Sequence, residues 1–423
     1  MKFLFISPEA LSVDLAYRIV QEGNEVKFCI LSETEKDVGD GFVDKIDRWE
    51  DFVDWADVIM FDDIGFGKVA DRLRYEGKRV VGCSAYTDRL ENDREFGQQE
   101  LNKAGVTTLP SWMFSNFDDA IQFVKDHPDR YVVKPSGKAQ SEKELLFVGQ
   151  EADGNDVINV LVQYKKYWSS KIRIFQLQKF ASGVEVAVGA FFNGRDFSSP
   201  VNINFEHKRL FPGEIGPSTG EMGTLMFWDN NSKIFQLTLE KIKQRLSEAG
   251  YVGYIDINCI VDSNAIYPLE FTSRFGYPTI SIQMEGVTEE WGKFLFGLAQ
   301  GQFHRILTKK GFQVGIVVAV PPFPFTDEKT FRKFSEDAIV LFKNRDASGV
   351  HLGEVKNEGG YWRIAGRSGY SLVVTGSGIT TEEAIKQAYS RVANIMIPNM
   401  FYRTDIGERW IKDSDLLLSS GYL

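Results

Sequence analysis

His207-Lys208-Arg209, the glycine-bracketed run GPSTGEMG at 216–223 and the run PLEFTSRFG at 268–276 lie close together in the chain. They supply a cationic cluster, a turn rich in backbone N–H groups, and a carboxylate near the end of a strand. Cations and open N–H groups hold anions, and the carboxylate holds a metal ion, so the set describes a site for phosphate and metal. Two flanking strands sharpen the metal half. In YVGYIDINCIV and AIYPLEFTS, joined by a turn at Asp262-Ser263-Asn264, alternation puts Asp256 and Asn258 on one face and Glu270 and Thr272 on one face. A carboxylate among Ile and Val must be hydrated, paired or metal-bound, because burying it alone is costly. Magnesium takes a few carboxylate oxygens plus water and substrate phosphates, which suits one carboxylate from each strand. A salt bridge to Arg274 or to a lysine satisfies the same groups and stays open.

Other side chains carry two readings each. Lys134 ends an apolar strand before Pro135-Ser136-Gly137-Lys138, where its ammonium reaches a phosphate or simply meets solvent. Glu185, two residues beyond Gly183, is placed either to accept from ribose hydroxyls or to face water. Taken alone, GPSTGEMG is an anion-holding turn through Ser218, Thr219 and its N–H groups, or a plain surface turn. It does not end as a Walker A loop does. His127, His304 and His351 have no partner at triad or metal spacing and read as structural, and the absence of G-x-S-x-G removes support for serine hydrolase chemistry.

The elements that must position these groups read as alternating α and β. KFLFIS, LSVDLAYRIVQEG and EVKFCIL predict strand, helix and strand, and VIMFDDI (58–64) and RVVGCS (79–84) extend a parallel sheet. SPEALS follows the first strand in place of G-x-G-x-x-G, so dinucleotide binding there lacks its fingerprint. A helix is expected over 88–109 with a boundary near 105–112. Strands follow at 131–135, 172–180 and 183–194, then a helix through Phe235, Leu239, Ile242, Leu246 and Ala249, and a strand at 313–320. A last helix is marked by Thr380 and Glu383 as a capping box, with Ile385, Ala388, Tyr389 and Val392 on one stripe.

Composition fits a multidomain protein. Of the 423 residues, 49 are basic and 59 acidic, giving a formal charge of −10, which disfavours a nucleic-acid partner. Cys29, Cys83 and Cys259 lack disulfide or zinc spacing and are expected as buried thiols in a reducing cytoplasm. The opening apolar tetrad is too short for a signal segment and no apolar run is long enough to span a membrane, so a cytoplasmic protein without a membrane partner is expected.

Three segments resemble glycinamide ribonucleotide synthetases, ATP-grasp ligases of purine synthesis: EHKRLFPGEIGPSTGEMGT at 206–224, PLEFTSRFGYPT at 268–279, and GITTEEAIKQAYSRVANIMIPNMFYRTDIGERW at 378–410. The stretch at 80–112 resembles the family's entry to the ATP-grasp region. The resemblance implies an α/β and α+β multidomain fold. It divides into an N-terminal α/β domain (1–108), an ATP-grasp region (109–325) with a lid subdomain at approximately 113–180, and a C-terminal α+β domain (326–423). It implies ATP and Mg2+, with Mn2+ as a substitute, and amino acid and amine substrates joined through an acyl phosphate in a monomer or homodimer. Arg274, Lys208 and Arg209 align with catalytic positions. Lys134, Glu185 and the hinge at Gln178 and Phe180 align with the nucleotide site, where Lys138 or Lys143 stands in for the family's Gly-Lys-Gly loop. His207 and the turn Gly216, Pro217, Ser218, Thr219, Gly220 and Glu221 align with the substrate-side loop, and Glu270 with the metal-binding glutamate. The chain departs from the family at several points. Ser7 to Ser12 replaces the N-terminal glycine-rich loop, Gln178-Lys179 an acidic pair, Glu221 a glycine, and Thr272 an asparagine ligand, for which Asp256 compensates with Asn258 beside it. A ligase for a different amine and a nucleotide-binding regulator without catalysis are the alternative readings.

Overall fold

Phe3 to Ile6 are apolar on both faces and fully buried, as a central parallel strand requires. In this computed structural model, which describes residues 1–136, 145–303 and 305–423, they form β1 (Lys2–Ser7). After it come α1 (Val13–Gln21), β2 (Glu25–Ile30), β3 (Lys45–Ile46), β4 (Val58–Phe61), α2 (Gly67–Tyr75) and β5 (Val80–Val81). The sheet runs β3-β2-β1-β4-β5, all parallel, so strand order reverses between β1 and β4.

The helix expected over 88–109 is two helices, α3 (Ala85–Asn92) and α4 (Arg94–Lys103). Asp93 divides them because its carboxylate accepts the Phe96 N–H at 3.0 Å and caps the second. Beyond it, β6 (Ser111–Phe114), α5 (Phe117–Asp126), β7 (Tyr131–Pro135), β8 (Phe147–Val148), α6 (Asn155–Tyr167) and β9 (Phe175–Lys179) make a four-stranded sheet, β6-β9-β7-β8. It has its own core of Val133, Leu161, Phe175 and Leu177 under the two helices. Lys138 and Lys143 fall between β7 and β8, outside the described residues, as does His304.

An eight-stranded sheet carries the rest. Its members are introduced in chain order: β10 (Val184–Phe192), β11 (Val201–Glu206), β12 (Arg209–Phe211) and β13 (Ile215–Ser218) as a side hairpin, and β14 (Gly223–Asp229). Where one helix was expected over 235–249 there are α7 (Lys233–Leu237), a 3-10 turn and α8 (Lys243–Glu248). The Thr238 hydroxyl donates to the Ile234 carbonyl at 2.6 Å and its backbone leaves the helical region, so the stripe is broken there. Then come β15 (Gly253–Val261), β16 (Ile266–Thr272), α9 (Thr279–Gly286), α10 (Trp291–Ala299) and β17 (Phe312–Ala319).

The final region comprises α11 (Glu328–Phe334), β18 (Ile339–Phe342), β19 (Val350–Leu352), β20 (Val355–Glu358), β21 (Tyr361–Ile364), β22 (Tyr370–Gly378), α12 (Thr381–Val392), β23 (Ile395–Met396) and α13 (Trp410–Ser419). It is not set apart from the central sheet, whose order is β16-β15-β10-β11-β14-β17-β22-β19. β22 pairs with the whole of β17 because both are β-branched strands buried on both faces. The capping box of α12 is formed by Thr380 and Glu383 as expected.

Candidate nucleotide and metal site

A cleft of about 330 Å³ opens between the small sheet and the edge of the large one. From the small sheet, β7 contributes Val132 and Lys134, β8 contributes Val148, and β9 leads into Gln178, Lys179 and Phe180. From the large sheet come Glu185, Glu206, Ile260, Leu269 and Glu270. The lining combines apolar side chains, among them Leu146, Val148, Ile260 and Leu269, with the ionic groups Lys134, Lys208 and Glu270. Its dimensions and mixed lining suit a ligand with one flat apolar part and one strongly anionic part.

At the apolar end the hinge differs from expectation. The Lys179 and Phe180 N–H groups are already given to the Pro110 and Arg130 carbonyls, at 2.9 and 3.0 Å. The polar group left for a base is Gln178, 1% exposed, whose Nε2 has no hydrogen-bond partner. Phe180 is held by the Arg130 guanidinium 3.6 Å from its ring centre.

The ionic end is a mesh of opposite charges. Lys208 Nζ lies 2.8 Å from Glu185, 3.4 Å from Glu206 and 3.9 Å from Glu270, and Arg94 Nη1 lies 3.2 Å from Glu270. Burial works against the Lys208 charge, but the three carboxylates hold its pKa well above the usual range. Lys134 goes the other way. Burial, aided by Arg94 and Lys208, lowers it to about 7. An arriving polyphosphate reverses that shift and draws a proton on, so nucleotide affinity should fall as pH rises above about 7, by up to tenfold per unit for one proton. Calorimetry of ATP binding from pH 7.5 to 9 tests this, with Lys134→Met expected to flatten the slope. An equal slope in both proteins defeats the assignment.

The four polar groups on the edge strands do converge. β15 and β16 pair Asp256 with Thr272 and Asn258 with Glu270, which puts all four on one face. Asp256 and Asn258 are 3% and 5% exposed, and the Oδ1 of each has no hydrogen-bond partner. Burial, reinforced by Glu206, pushes the Asp256 carboxyl well up, with Arg274 and Thr272 pulling the other way. Unpartnered oxygens beside a charged glutamate are a donor set that a hard divalent cation completes, so these residues fit such an ion.

The turn at 216–223 is not an open anion nest. Residues 215–218 form β13, and the Thr219 and Met222 N–H groups are spent on the Lys208 and His207 carbonyls, both at 2.8 Å. Gly216, Pro217 and Gly220 therefore shape the hairpin, while Ser218 and Thr219 reach the cleft wall. Arg209 donates to the Gly216 carbonyl at 3.0 Å and also lines the cleft. Glu221 is buried against Thr224, away from the cleft. His207 is a structural residue. Its Nε2 accepts the Gly407 N–H at 3.1 Å, so Nδ1 carries the proton toward Glu214 at 2.8 Å. His207, Glu214 and Asp405 come close enough to suggest a metal, but the Arg403 guanidinium already donates to both carboxylates.

Arg274 lies beyond the cleft, 3.0 Å from Asp63 and 3.3 Å from Glu91. Four residues missed by motif reading complete the site. Arg94 and Glu206 line the cleft, and Arg409 ties the Glu206 and Glu185 carbonyls together from the start of α13. Arg403 anchors the hairpin. The last two lie in the segment FYRTDIGERW, whose density of charge beside aromatics was the available signal.

Two facing antiparallel sheets with a cation-rich cleft and an edge-strand carboxylate set make up the ATP-grasp architecture. Residues 92–280 match the phosphoribosylglycinamide synthetase ATP-grasp (A) domain. A phosphoribosylamine–glycine ligase of Streptococcus pneumoniae is 26% identical over 362 residues, covering 83% of each chain. One from Streptococcus suis is 25% identical and covers 86% of each. The crystal structure of a phosphoribosylamine–glycine ligase from Thermotoga maritima superposes with a TM-score of 0.72 at 19% identity, covering 96% of this chain and 100% of the other. The MgADP-bound biotin carboxylase domain of Hydrogenobacter thermophilus 2-oxoglutarate carboxylase superposes at 0.64, with 12% identity, covering 100% of this chain and 95% of that one. Over residues 92–280 the chain is similar to the ATP-grasp domain of phosphoribosylglycinamide synthetases, and along most of its length it is similar to phosphoribosylamine–glycine ligases. The family uses ATP with a divalent metal. Among the described residues no helix is long and apolar enough to cross a membrane.

Proposed function

We propose that this protein uses ATP to phosphorylate the carboxylate of an amino acid and then joins the acyl group to an amine, releasing ADP and phosphate. The observation that carries the reading is the meeting of Lys134, Arg94 and Lys208 with Glu270 in the cleft, with Asn258 and Asp256 on the paired strand, opposite Glu270 and Thr272. Adenine lies in the apolar slot under Phe180 with Gln178 donating to a ring nitrogen. Lys134 and Lys208 face the phosphates, Glu185 the ribose, and Arg94 the transferred group. Glu270, with Asp256, Asn258 and Thr272, holds magnesium, or manganese in its place. The ion offsets charge on the phosphates, the main need of phosphoryl transfer. Burial excludes water from the mixed anhydride, which would otherwise hydrolyse.

Glycine and phosphoribosylamine, the pair in the relatives' name, are the reference substrates. Three free, buried cysteines suit a reducing cytoplasm. The test is capture of the acyl phosphate by hydroxylamine in the presence of ATP and magnesium, with glycine first and then other amino acids. Amino acid-dependent hydroxamate with equimolar ADP is expected. Tight nucleotide binding without hydroxamate from any amino acid overturns the ligase reading in favour of a regulator.

A further inference from the structure

Lys208 stands where three carboxylates of the cleft meet. Its backbone is fixed, since its carbonyl accepts the Thr219 N–H at 2.8 Å and the Thr219 hydroxyl at 2.9 Å, but its four-carbon stem lets the ammonium turn. The ammonium lies 2.8 Å from Glu185 and 3.4 Å from Glu206, and it faces Oε1 of Glu270 at 3.9 Å. Arg94 takes the other oxygen of that carboxylate, Oε2, at 3.2 Å. Both oxygens of Glu270 therefore face cations of the protein itself. The two contacts are unequal, because the Arg94 contact is a hydrogen bond from a side chain 10% exposed, whereas the Lys208 contact is longer than a hydrogen bond and comes from a side chain 27% exposed. Lys208 is the cation able to leave.

Glu270 is also the carboxylate of the metal set, paired across the hairpin with Asn258. A hard dication seeks the same oxygens as the ammonium and is repelled by it at such a distance. Burial opposes the Lys208 charge, but the surrounding carboxylates outweigh burial, so the competitor stays charged at neutral pH. Among the side chains that line the cleft, basic groups outnumber acidic ones, with Lys134, Arg209 and Arg409 close by. A bare dication therefore meets net positive charge, whereas one carried on a polyphosphate arrives with net negative charge and offers Lys208 new anionic oxygens. We propose that Lys208 competes with the divalent ion for Glu270, so that the ion binds tightly only together with nucleotide, whose phosphates draw the ammonium off the carboxylate. The inference rests on the reading of Glu270 as a metal ligand and adds to it an order of binding.

The test uses the full chain with Mn2+ as the probe, and the enhanced relaxation of water protons reports ion held by the protein. Lys208→Gln keeps a hydrogen-bond donor for the carboxylates but not the charge, and it should bind Mn2+ alone at least tenfold more tightly than the parent. Lys208→Met should show the same gain, Lys208→Arg, which keeps the charge, should show little of it, and adding Glu270→Gln to Lys208→Gln should erase it. Equal Mn2+ affinity in the parent and Lys208→Gln, an equal gain in Lys208→Arg, or a gain that survives Glu270→Gln overturns the inference. Mn2+ binding in the presence of ADP is scored separately. If the parent then holds the ion and Glu270→Gln does not, the metal reading stands, and the comparison without nucleotide alone decides the competition. If Glu270→Gln holds it equally well with ADP, the metal reading itself fails and the competition with it.

Discussion

Glu270→Gln should lose magnesium-dependent ADP formation by roughly 10²–10³-fold, as expected for removal of several kcal/mol of charge stabilisation. The fold should survive, because the Glu270 side chain is 41% exposed and the strand pairing of Asn258 with residue 270 is a backbone property. The variant has a second signature. Glu270 is the carboxylate shared by Arg94 and Lys208, so its neutralisation leaves more uncompensated positive charge beside Lys134. Metal-free ATP should therefore bind the variant at least as tightly as it binds the parent, while the gain in affinity on adding magnesium disappears. Calorimetry with ATP in EDTA and then in magnesium separates the two effects. Undiminished turnover with the same magnesium dependence would remove Glu270 from the metal set. Weaker binding of metal-free ATP would show instead that Glu270 shapes the cleft. Asp256 and Asn258 are buried donors rather than exposed charges, so their roles stand or fall with the same measurement.

The strand alternation that grouped Asp256, Asn258, Glu270 and Thr272 was readable because side chains on a strand have a fixed period, and the hairpin turn sets which residues face each other. The first sheet was readable for a similar reason, since runs buried on both faces leave continuous apolar stretches. Backbone hydrogen bonds were not. GPSTGEMG has the composition of an anion nest, yet its N–H groups go to the Lys208 and His207 carbonyls, a choice made by the β12–β13 hairpin rather than by glycine content. Arg94 is distant in sequence from its partner Glu270, and no local pattern marks such a pair. The helix breaks at Asp93 and Thr238 rest on single side-chain hydrogen bonds that override an apolar stripe. The resemblance carried the family, while residues 7–12, where the chain departs from it, are where the structure places an internal carboxylate.

Arg403→Leu is expected to be the most destabilising single change outside the cores. Arg403 is fully buried and makes four hydrogen bonds to three groups: Nη1 donates to the Arg209 carbonyl at 2.8 Å, Nε to Asp405 at 2.8 Å, and Nη2 to Glu214 and Asp405 at 2.8 and 2.7 Å. Burial pushes Glu214 up, but the His207 and Arg403 hydrogen bonds prevail and bring it down to about 2. Without the guanidinium, Glu214, Asp405 and the Arg209 carbonyl lose a shared partner at once; Glu214 is 48% exposed and Asp405 18%, so water offsets part of the loss and about 1–3 kcal/mol is expected. Arg403→Lys keeps the charge but not the planar fork, so it should recover only part of the loss. The damage should reach function because the hairpin that Arg403 fastens follows Lys208 directly, and Lys208 balances three cleft carboxylates. Melting temperature and limited proteolysis across 207–222 report the first effect, and ATP affinity the second. Both variants should melt several degrees lower, leucine more so, with earlier cleavage in the hairpin and weaker nucleotide binding. Parent-like melting in Arg403→Leu would mean that water replaces the guanidinium at little cost. Lower melting with unchanged ATP affinity would separate the hairpin from the cleft.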